Sequence, residues 1–287
     1  MRRIALLVIF ALMGGALTGA EDIRPDGKGN RPHRPPLFPT RQRLPPLTYH
    51  GGPVLRNPTI YYIWYGTWTP ADQAILETLA SHLGGSPYAN ILTTYYDFTG
   101  QPIPNTMTFG GSATDDYSLG RSLSDFSVQT VVQTAIANKS LPLDPNGIYC
   151  VLTAADVDET SGFCTKYCGW HKNVSIPESR VNIAFIGNAA RCGASCGTQT
   201  PSPNEDPGAD AAASIVAHEL DESITDPFGT GWYDVNGDES ADKCAYTYGE
   251  TTTLPNGSQA NMQLGGLNFL IQQNWVNLGT GRCARAH

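Results

Sequence analysis

Apolar positions are unevenly spaced along the 287-residue chain, and the spacing changes character several times. Ile4 to Leu17 is one apolar run, with Arg2 and Arg3 before it and Thr18-Gly19-Ala20 after it. A charged start, an apolar stretch and a small-residue end predict an export leader over residues 1–20. The run falls short of the ~20 apolar residues that a spanning helix needs, and no later segment approaches it. The mature protein is therefore expected to carry no membrane span. Residues 21–47 are poor in apolar positions and rich in Pro and Arg, as in Arg31-Pro32-His33-Arg34-Pro35-Pro36. That composition predicts an extended linker or a propeptide.

From residue 48 onward the pattern is that of a folded body. Thr59-Ile60-Tyr61-Tyr62-Ile63-Trp64-Tyr65 is β-branched and aromatic throughout, which predicts a buried strand. Thr69-Pro70 supplies an N-cap and a first-turn proline for a helix to about Leu83, where Gly84-Gly85 stops it. A second helix is expected from Pro87 to Tyr96, and a hairpin or strand over 100–112. Ser124 to Asn138 is amphipathic, with apolar residues at 128, 131, 132, 135 and 136. Ile148 to Val157 and Val181 to Ile186 read as strands, and Pro207 to Thr225 as a helix. The remainder is Gly-rich, with short strands or turns. Strands alternate irregularly with helices and no repeat is visible. The expected fold is a single α/β domain, 48–287, with a mixed sheet and flanking helices.

Composition narrows the setting. Charged residues are 15% of the chain, against about 25% in a typical soluble protein. Residues 1–47 hold 8 of the 18 Lys and Arg and 3 of the 26 Asp and Glu, which leaves the body 10 basic and 23 acidic groups. An acidic body argues against nucleic acid as a partner. Low charge, many turns and 13 tyrosines suit a secreted, extracellular or periplasmic protein. Cysteine usage agrees. Cys164/Cys168 and Cys192/Cys196 form Cys-x3-Cys pairs, which in an exported chain predict disulfides before zinc. These four allow three pairings, and spacing does not choose among them. Cys244 and Cys283 are expected to tie the C-terminal segment down. Cys150, inside an apolar run, is expected to stay unpaired and buried.

The most informative stretch is Ala213-Ser214-Ile215-Val216-Ala217-His218-Glu219-Leu220-Asp221-Glu222. Asp206 and Pro207 open its helix, and Asp226-Pro227 ends it. With His218 at zero, Ala213, Val216, Leu220 and Ile224 fall between roughly 160° and 240°, Glu222 near about 40° and Glu219 near about 100°. One face packs on a core, and His218 and Glu222 share the other, one turn apart. Ile215 joins them, so that face need not be fully solvated. Ligands at i and i+4 grip one ion from one helix face, and the Glu after the first ligand can act as general base. This is the zincin arrangement with Glu222 in place of the second His. A carboxylate there adds negative charge and makes a bound water less acidic, which weighs against peptidase power. A polar face opposite an apolar one is also what any solvated surface helix shows.

A third ligand should follow the helix. Asp226 is eight residues past His218, ~12 Å along a helix axis and too far. Glu239 and Asp242 lie in the next loop, three apart, with Cys244 behind them; Asp242 is favoured narrowly. In the same loop Asp234-x-Asn236-x-Asp238 starts like a calcium loop, but Glu239 and Ala245 stand where an EF-hand needs Gly and Glu. An irregular calcium site is the reading left open there. His171, in Cys168-Gly169-Trp170-His171, lies beside a cysteine and could reach a cleft, but ranks lower, since such a histidine is more often structural. No nucleophile elbow, phosphate loop or dinucleotide fingerprint occurs.

Several ordered motifs resemble the EXORDIUM / phosphate-induced protein family of plants. Tyr49-His50-Gly51-Gly52-Pro53-Val54-Leu55 and Ile60-Tyr61-Tyr62-Ile63-Trp64-Tyr65-Gly66 are similar to its opening, and Val151-Leu152-Thr153-Ala154-Ala155-Asp156-Val157 to its central strand. Gly162-Phe163-Cys164, Cys168-Gly169-Trp170-His171 and Cys192-x3-Cys196 resemble its cysteine segments. His218-Glu219-Leu220-x-Glu222, Gly231-Trp232-Tyr233 and Glu239-x-x-Asp242-x-Cys244 resemble its late block, where Asn-Pro would be expected in place of Asp226-Pro227. The resemblance runs from about residue 49 to the C-terminus. It implies a secreted or cell-wall protein, and it groups His218, Glu219, Glu222, Glu239 and Asp242 without assigning them chemistry.

Two functional expectations follow. The first is an exported zinc-dependent hydrolase, a peptidase before other kinds, acting on a protein or peptide. His218 and Glu222 hold zinc, Asp242 or Glu239 completes the site, and Glu219 activates water. The second is a non-catalytic protein of the cell surface or wall, with a structural metal or none.

Overall fold

The computed structural model describes Gly27, Lys28 and residues 44–177 and 179–287. The leader at 1–20 and the rest of the segment up to residue 43 lie outside the described residues. The core is a five-stranded sheet made of β1 (Thr59–Tyr65), β2 (Thr108–Asp115), β3 (Gly147–Thr153), β4 (Gly169–Ile176) and β5 (Ser179–Gly187). Their spatial order is β2-β1-β3-β5-β4. All neighbours are parallel except β4, which runs antiparallel to β5 and forms one edge. The centre of the sheet is continuously apolar because both of its faces are covered. Every residue of β3 is buried, and so is every residue of β1 after Thr59. At the other edge, β2 alternates exposed and half-buried positions.

The three long helices start where side chains satisfy the free backbone N–H groups. Helix α1 (Pro70–Leu83) has a capping box between Thr69 and Asp72, and α2 (Asp125–Ala137) has one between Ser124 and Ser127. Helix α3 (Pro207–Thr225) opens on Asp206, whose side chain accepts from the N–H of Ala209. Helix α3 lies across β4 and β5 and packs on α1. The mixed sheet with flanking helices is thus the single α/β domain that the pattern predicts.

Some elements differ from expectation. The helix expected over Pro87–Tyr96 is a short 3-10 segment, Ala89–Thr94. The hydroxyls of Thr93 and Thr94 donate to the carbonyls three residues back, which suits the tighter turn. Of the hairpin or strand expected over 100–112, the structure has the strand, β2, displaced to Thr108–Asp115 and paired with β1. The strand expected to reach Val157 ends at Thr153. Strand β4 is the element the pattern did not reveal.

The cysteines form disulfides at Cys164–Cys192, Cys168–Cys196 and Cys244–Cys283, and Cys150 is free and buried in β3. The two Cys-x3-Cys pairs are therefore consumed by cross-links and do not form a zinc cluster. Mass spectrometry of the mature protein should find six oxidised cysteines and one thiol. That thiol should resist alkylation until the protein is unfolded, because burial disfavours the Cys150 thiolate. Thiols released by a chelator alone would contradict this pairing.

The segment read as a linker touches the body. The Gly27 carbonyl accepts from the backbone N–H of His171 at 2.9 Å. The Lys28 ammonium donates to Asp125 and to Ser161, each at 2.8 Å, and lies near the rings of Tyr167 and Trp170. Among the described residues no helix is long and apolar enough to cross a membrane.

Candidate metal centre

Every residue of α3 from Gly208 to Thr225 is buried. Its apolar side rests on the sheet, and the C-terminal segment closes over its polar side. The N–H of Gln272 donates to Ser214 at 3.0 Å, its side chain meets Nδ1 of His218, and the Asn274 amide donates to Asp221. The surface-helix alternative is thereby excluded. Four charged or titratable side chains, at 218, 219, 221 and 222, are withdrawn from water on one helix. Such burial is costly unless a partner offsets it.

Part of the offset comes from the helix itself. His218 Nε2 lies 3.1 Å from Glu222 Oε1, one turn on. The loop after α3 brings Asp242 Oδ1 to 3.4 Å from the same nitrogen. That loop is held at several points. The N–H of Asp242 donates to Glu222 Oε1 at 2.9 Å, and the N–H of Glu239 donates to Asp242 Oδ2 at 3.1 Å. Asp242 opens a short 3-10 turn that ends at Cys244, and Cys244 is bonded to Cys283.

The other oxygen of Glu222 faces a second imidazole. His171 Nε2 is 3.6 Å from Glu222 Oε2 and 3.2 Å from Glu239 Oε2. Residues His218, Glu222 and Asp242 form one group with ligand atoms within 4.8 Å of one another, and His171, Glu222 and Glu239 form another. Asp242 and Glu239 are thus both present, one beside each imidazole. Asp226 belongs to neither group and ends the helix instead, with Oδ1 accepting from the N–H groups of Thr230 and Gly231 at 2.6 Å.

His171 is the residue that sequence reasoning ranked too low. It comes from edge strand β4, where Gly169, His171 and Asn173 alternate with Trp170, Lys172 and Val174. By that period His171 and Gly169 share one face of the strand. An ideal Cβ on Gly169 would come within 2.7 Å of Glu219 Oε1, so this face looks onto α3. Gly169 is needed because the Glu219 carboxylate occupies the space where a side chain would go. Glu219 itself stands in neither ligand group. It lies against β4, fully buried, and neither oxygen has a hydrogen-bond partner.

Burial and mutual repulsion set the protonation of the cluster. Burial opposes charge on His218, but Glu222 and Asp242 outweigh it and raise the imidazole well above its usual range. His171 is raised likewise, with Glu239 and Glu222 outweighing burial. Burial favours the neutral acid at Glu222, but His218 and His171 together lower it to about 2. Burial pushes Glu219 up to about 8 and raises Glu239 and Asp242 as well. Protons therefore neutralise this cluster when no cation does.

The donor set suits a cation. None of His218 Nε2, Glu222 Oε2, Asp242 Oδ1 and Glu239 Oε1, all buried, makes a well-formed hydrogen bond, and the first three make only ion-pair contacts, with one another, with Glu222 Oε1 or with His171. Leaving each such atom unpaired costs about 1–3 kcal/mol, more if it is charged. A metal ion among imidazole and carboxylate donors satisfies them together. The calcium reading of the next loop fails on its first residue. Asp234 Oδ2 pairs with the Lys243 ammonium at 2.7 Å, and its Oδ1 accepts from the N–H groups of Asn236 and Asp238. A cation already holds that carboxylate.

A cleft of about 250 Å³ approaches the cluster from one side, lined by residues that include His171, Lys172, Arg180, Asp226, Phe228 and Glu239. His218 and Asp242 do not line it.

Comparison with known proteins agrees with the motifs. A family profile described as the phosphate-induced protein 1 conserved region matches residues 47–262. Protein EXORDIUM-like 3 of Arabidopsis thaliana is 33% identical over 84% of this chain and 83% of its own length. Protein PHOSPHATE-INDUCED 1 of Nicotiana tabacum is 30% identical over 70% of this chain and 72% of its own. Protein EXORDIUM of Arabidopsis thaliana is 30% identical over 71% and 74%. No solved structure matches the chain. The match spans both imidazoles and all their carboxylate partners, and the chain belongs to the EXORDIUM / phosphate-induced protein 1 family.

Proposed function

We propose that this protein is an exported, zinc-dependent hydrolase of the peptidase type, with its metal held by His218, Glu222 and Asp242. The observation that carries the reading is the set of imidazole and carboxylate atoms buried around Glu222 within ligand reach of one another. A bound zinc ion would supply Lewis acidity and a more acidic water. The chain's own part is to hold the ligands rigidly and to move a proton. The Gln272 amide meets Nδ1 of His218 and orients the ring; for Nε2 to take the ion, Nδ1–H would have to donate to the amide oxygen, with the Gln272 amide turned over from its present orientation. Asp242 is fixed through its backbone bond to Glu222. Glu219, one position after the first ligand, is the group to take a proton from the attacking water. Export is supported by the leader pattern and by three disulfides. The substrate would be a protein or peptide met outside the cell.

A second reading has its own support. His218, Glu219 and Glu222 have no accessible surface, and His171 is 5% exposed. So closed a centre also suits a structural ion in a non-catalytic protein of the cell surface or wall. Elemental analysis of the purified mature protein, with digestion of an unfolded protein before and after chelation, separates the two. Zinc with chelator-sensitive digestion supports the hydrolase. Zinc without digestion supports the structural reading. No metal, even after loading with zinc, overturns the metal site and leaves a non-catalytic protein without an ion.

A further inference from the structure

We infer that His171, Glu222 and Glu239 form a second divalent-cation position, so that the centre holds two ions with Glu222 bridging them. This inference rests on the reading of His218, Glu222 and Asp242 as a metal site and extends it.

The first observation is how Glu222 is placed. Its Oε1 faces His218 and its Oε2 faces His171, at 3.1 and 3.6 Å. A carboxylate serving one ion has no need of an imidazole on each oxygen. The second is that each imidazole has a further carboxylate of its own, Asp242 beside His218 and Glu239 beside His171. The halves match in composition, each one imidazole and one private carboxylate on a shared Glu222.

The third observation separates the two positions. An ion held by His218, Glu222 Oε1 and Asp242 would leave Glu222 Oε2 with only the His171 imidazole, at 3.6 Å, and Glu239 Oε1 buried without a hydrogen-bond partner. Glu222 has no accessible surface and Glu239 is 1% exposed, so bulk water does not reach these atoms. A cation on the His171 side satisfies them. The fourth is charge. The three ligand carboxylates outnumber the charge of one dication, Glu219 and Asp221 are buried nearby, and the two imidazoles bind an ion only in their neutral form. A second dication brings the cluster close to neutrality.

The second position is also held in place. Cys168, three residues before His171, is bonded to Cys196, and His171 pairs with Ala184 on β5. Donors of one imidazole and two carboxylates favour a first-row divalent ion such as zinc or manganese over calcium. This is also the half that reaches the cleft, since His171 and Glu239 line it and His218 does not. A substrate in the cleft would therefore approach the two-ion centre from the His171 side.

Stoichiometry tests the inference. The full mature chain is stripped with a chelator, loaded with zinc or, separately, manganese, freed of excess, and counted by inductively coupled plasma mass spectrometry. About two ions per chain are expected for the wild type, and about one for His171→Ala and for Glu239→Gln. The glutamine variant keeps the side-chain volume and serves if the alanine variant does not fold. Crystals of the loaded protein should show anomalous peaks on both sides of Glu222. One ion in the wild type and one in both variants overturns the second position and leaves the first standing. No ion in any of them overturns the metal reading itself.

Discussion

Glu219→Gln is expected to keep the metal and the fold while losing roughly 10²-fold or more of the hydrolytic rate. Glutamine has the shape of the acid and cannot accept the proton. The site tolerates it sterically, because Gly169 leaves room for a side chain of that size. Glu219 makes no hydrogen bond that the amide would break. In the metal-free protein burial holds its carboxyl up to about 8, against the pull of His218, and a bound dication would lower it toward a form that can accept a proton near neutral pH. His218→Ala should behave differently. It removes a ligand and should lose the ion on its side together with activity. Metal content and rate, measured on both variants, distinguish the roles. A Glu219→Gln protein with metal and full activity would show that Glu219 is not the base, and the zincin reading of α3 would fall.

The metal-free protein should lose stability as pH rises from about 5.5 to 8, by roughly 10 °C or more in Tm, while the zinc-loaded protein should not. The sign follows from how folding moves each carboxyl. Glu219 rises from 4.5 to about 8 and Asp221 from 3.8 to about 7, both through burial. The unfolded chain gives up these protons near its ordinary carboxylate range, and the folded chain keeps them until pH 7–8. Stability therefore falls as pH climbs through that window, by about 1.4 kcal/mol for every tenfold difference in proton affinity between the folded and unfolded chain. The raised imidazoles act in the same direction, since their contribution is full below 6.5 and is lost as pH rises through the folded value. Glu222 acts oppositely, but its window lies between about 2 and 4.5. A cation bound beside Glu219 and Asp221 favours their charged forms by direct attraction and so offsets the penalty. Differential scanning fluorimetry across this range, with and without chelator, reads the effect. A flat profile for the stripped protein would mean that the cluster does not carry these buried charges.

Much of the fold could be read from the chain because its signals are local. Asp206-Pro207 and Asp226-Pro227 bracket α3, and the structure begins and ends the helix there. The β-branched and aromatic run of Thr59–Tyr65 became β1 without a residue's difference. Strand β4 was hidden because Lys172 and Asn173 interrupt its apolar positions. Lys172 is accommodated by lying over the Trp170 ring at 4.9 Å, a contact no period reveals. His171 was missed for the same reason. It reaches Glu222 only through the pairing of β4 with β5 and the crossing of α3 over that edge. The disulfide pairing was equally non-local, since Cys164–Cys192 and Cys168–Cys196 each span 28 residues. Asp242 and Glu239 looked like rivals while one imidazole was in view. With His171 in place each has its own. A histidine three residues after a cross-linked cysteine, in an alternating segment, was the signal available.

The positions of the sulfurs also set an order of events. Cys168 stands three residues before His171, and Cys244 two after Asp242, so each arm that reaches toward Glu222 is fastened close to its ligand. In a reducing cytosol neither fastening exists. A chain exported as proposed would cross the membrane with its ligands unassembled, oxidise outside, and only then acquire a cation. The identity of that cation is then decided by the ions of the wall or medium, and the abundant, tightly buffered ions of the cytoplasm have no part in the choice.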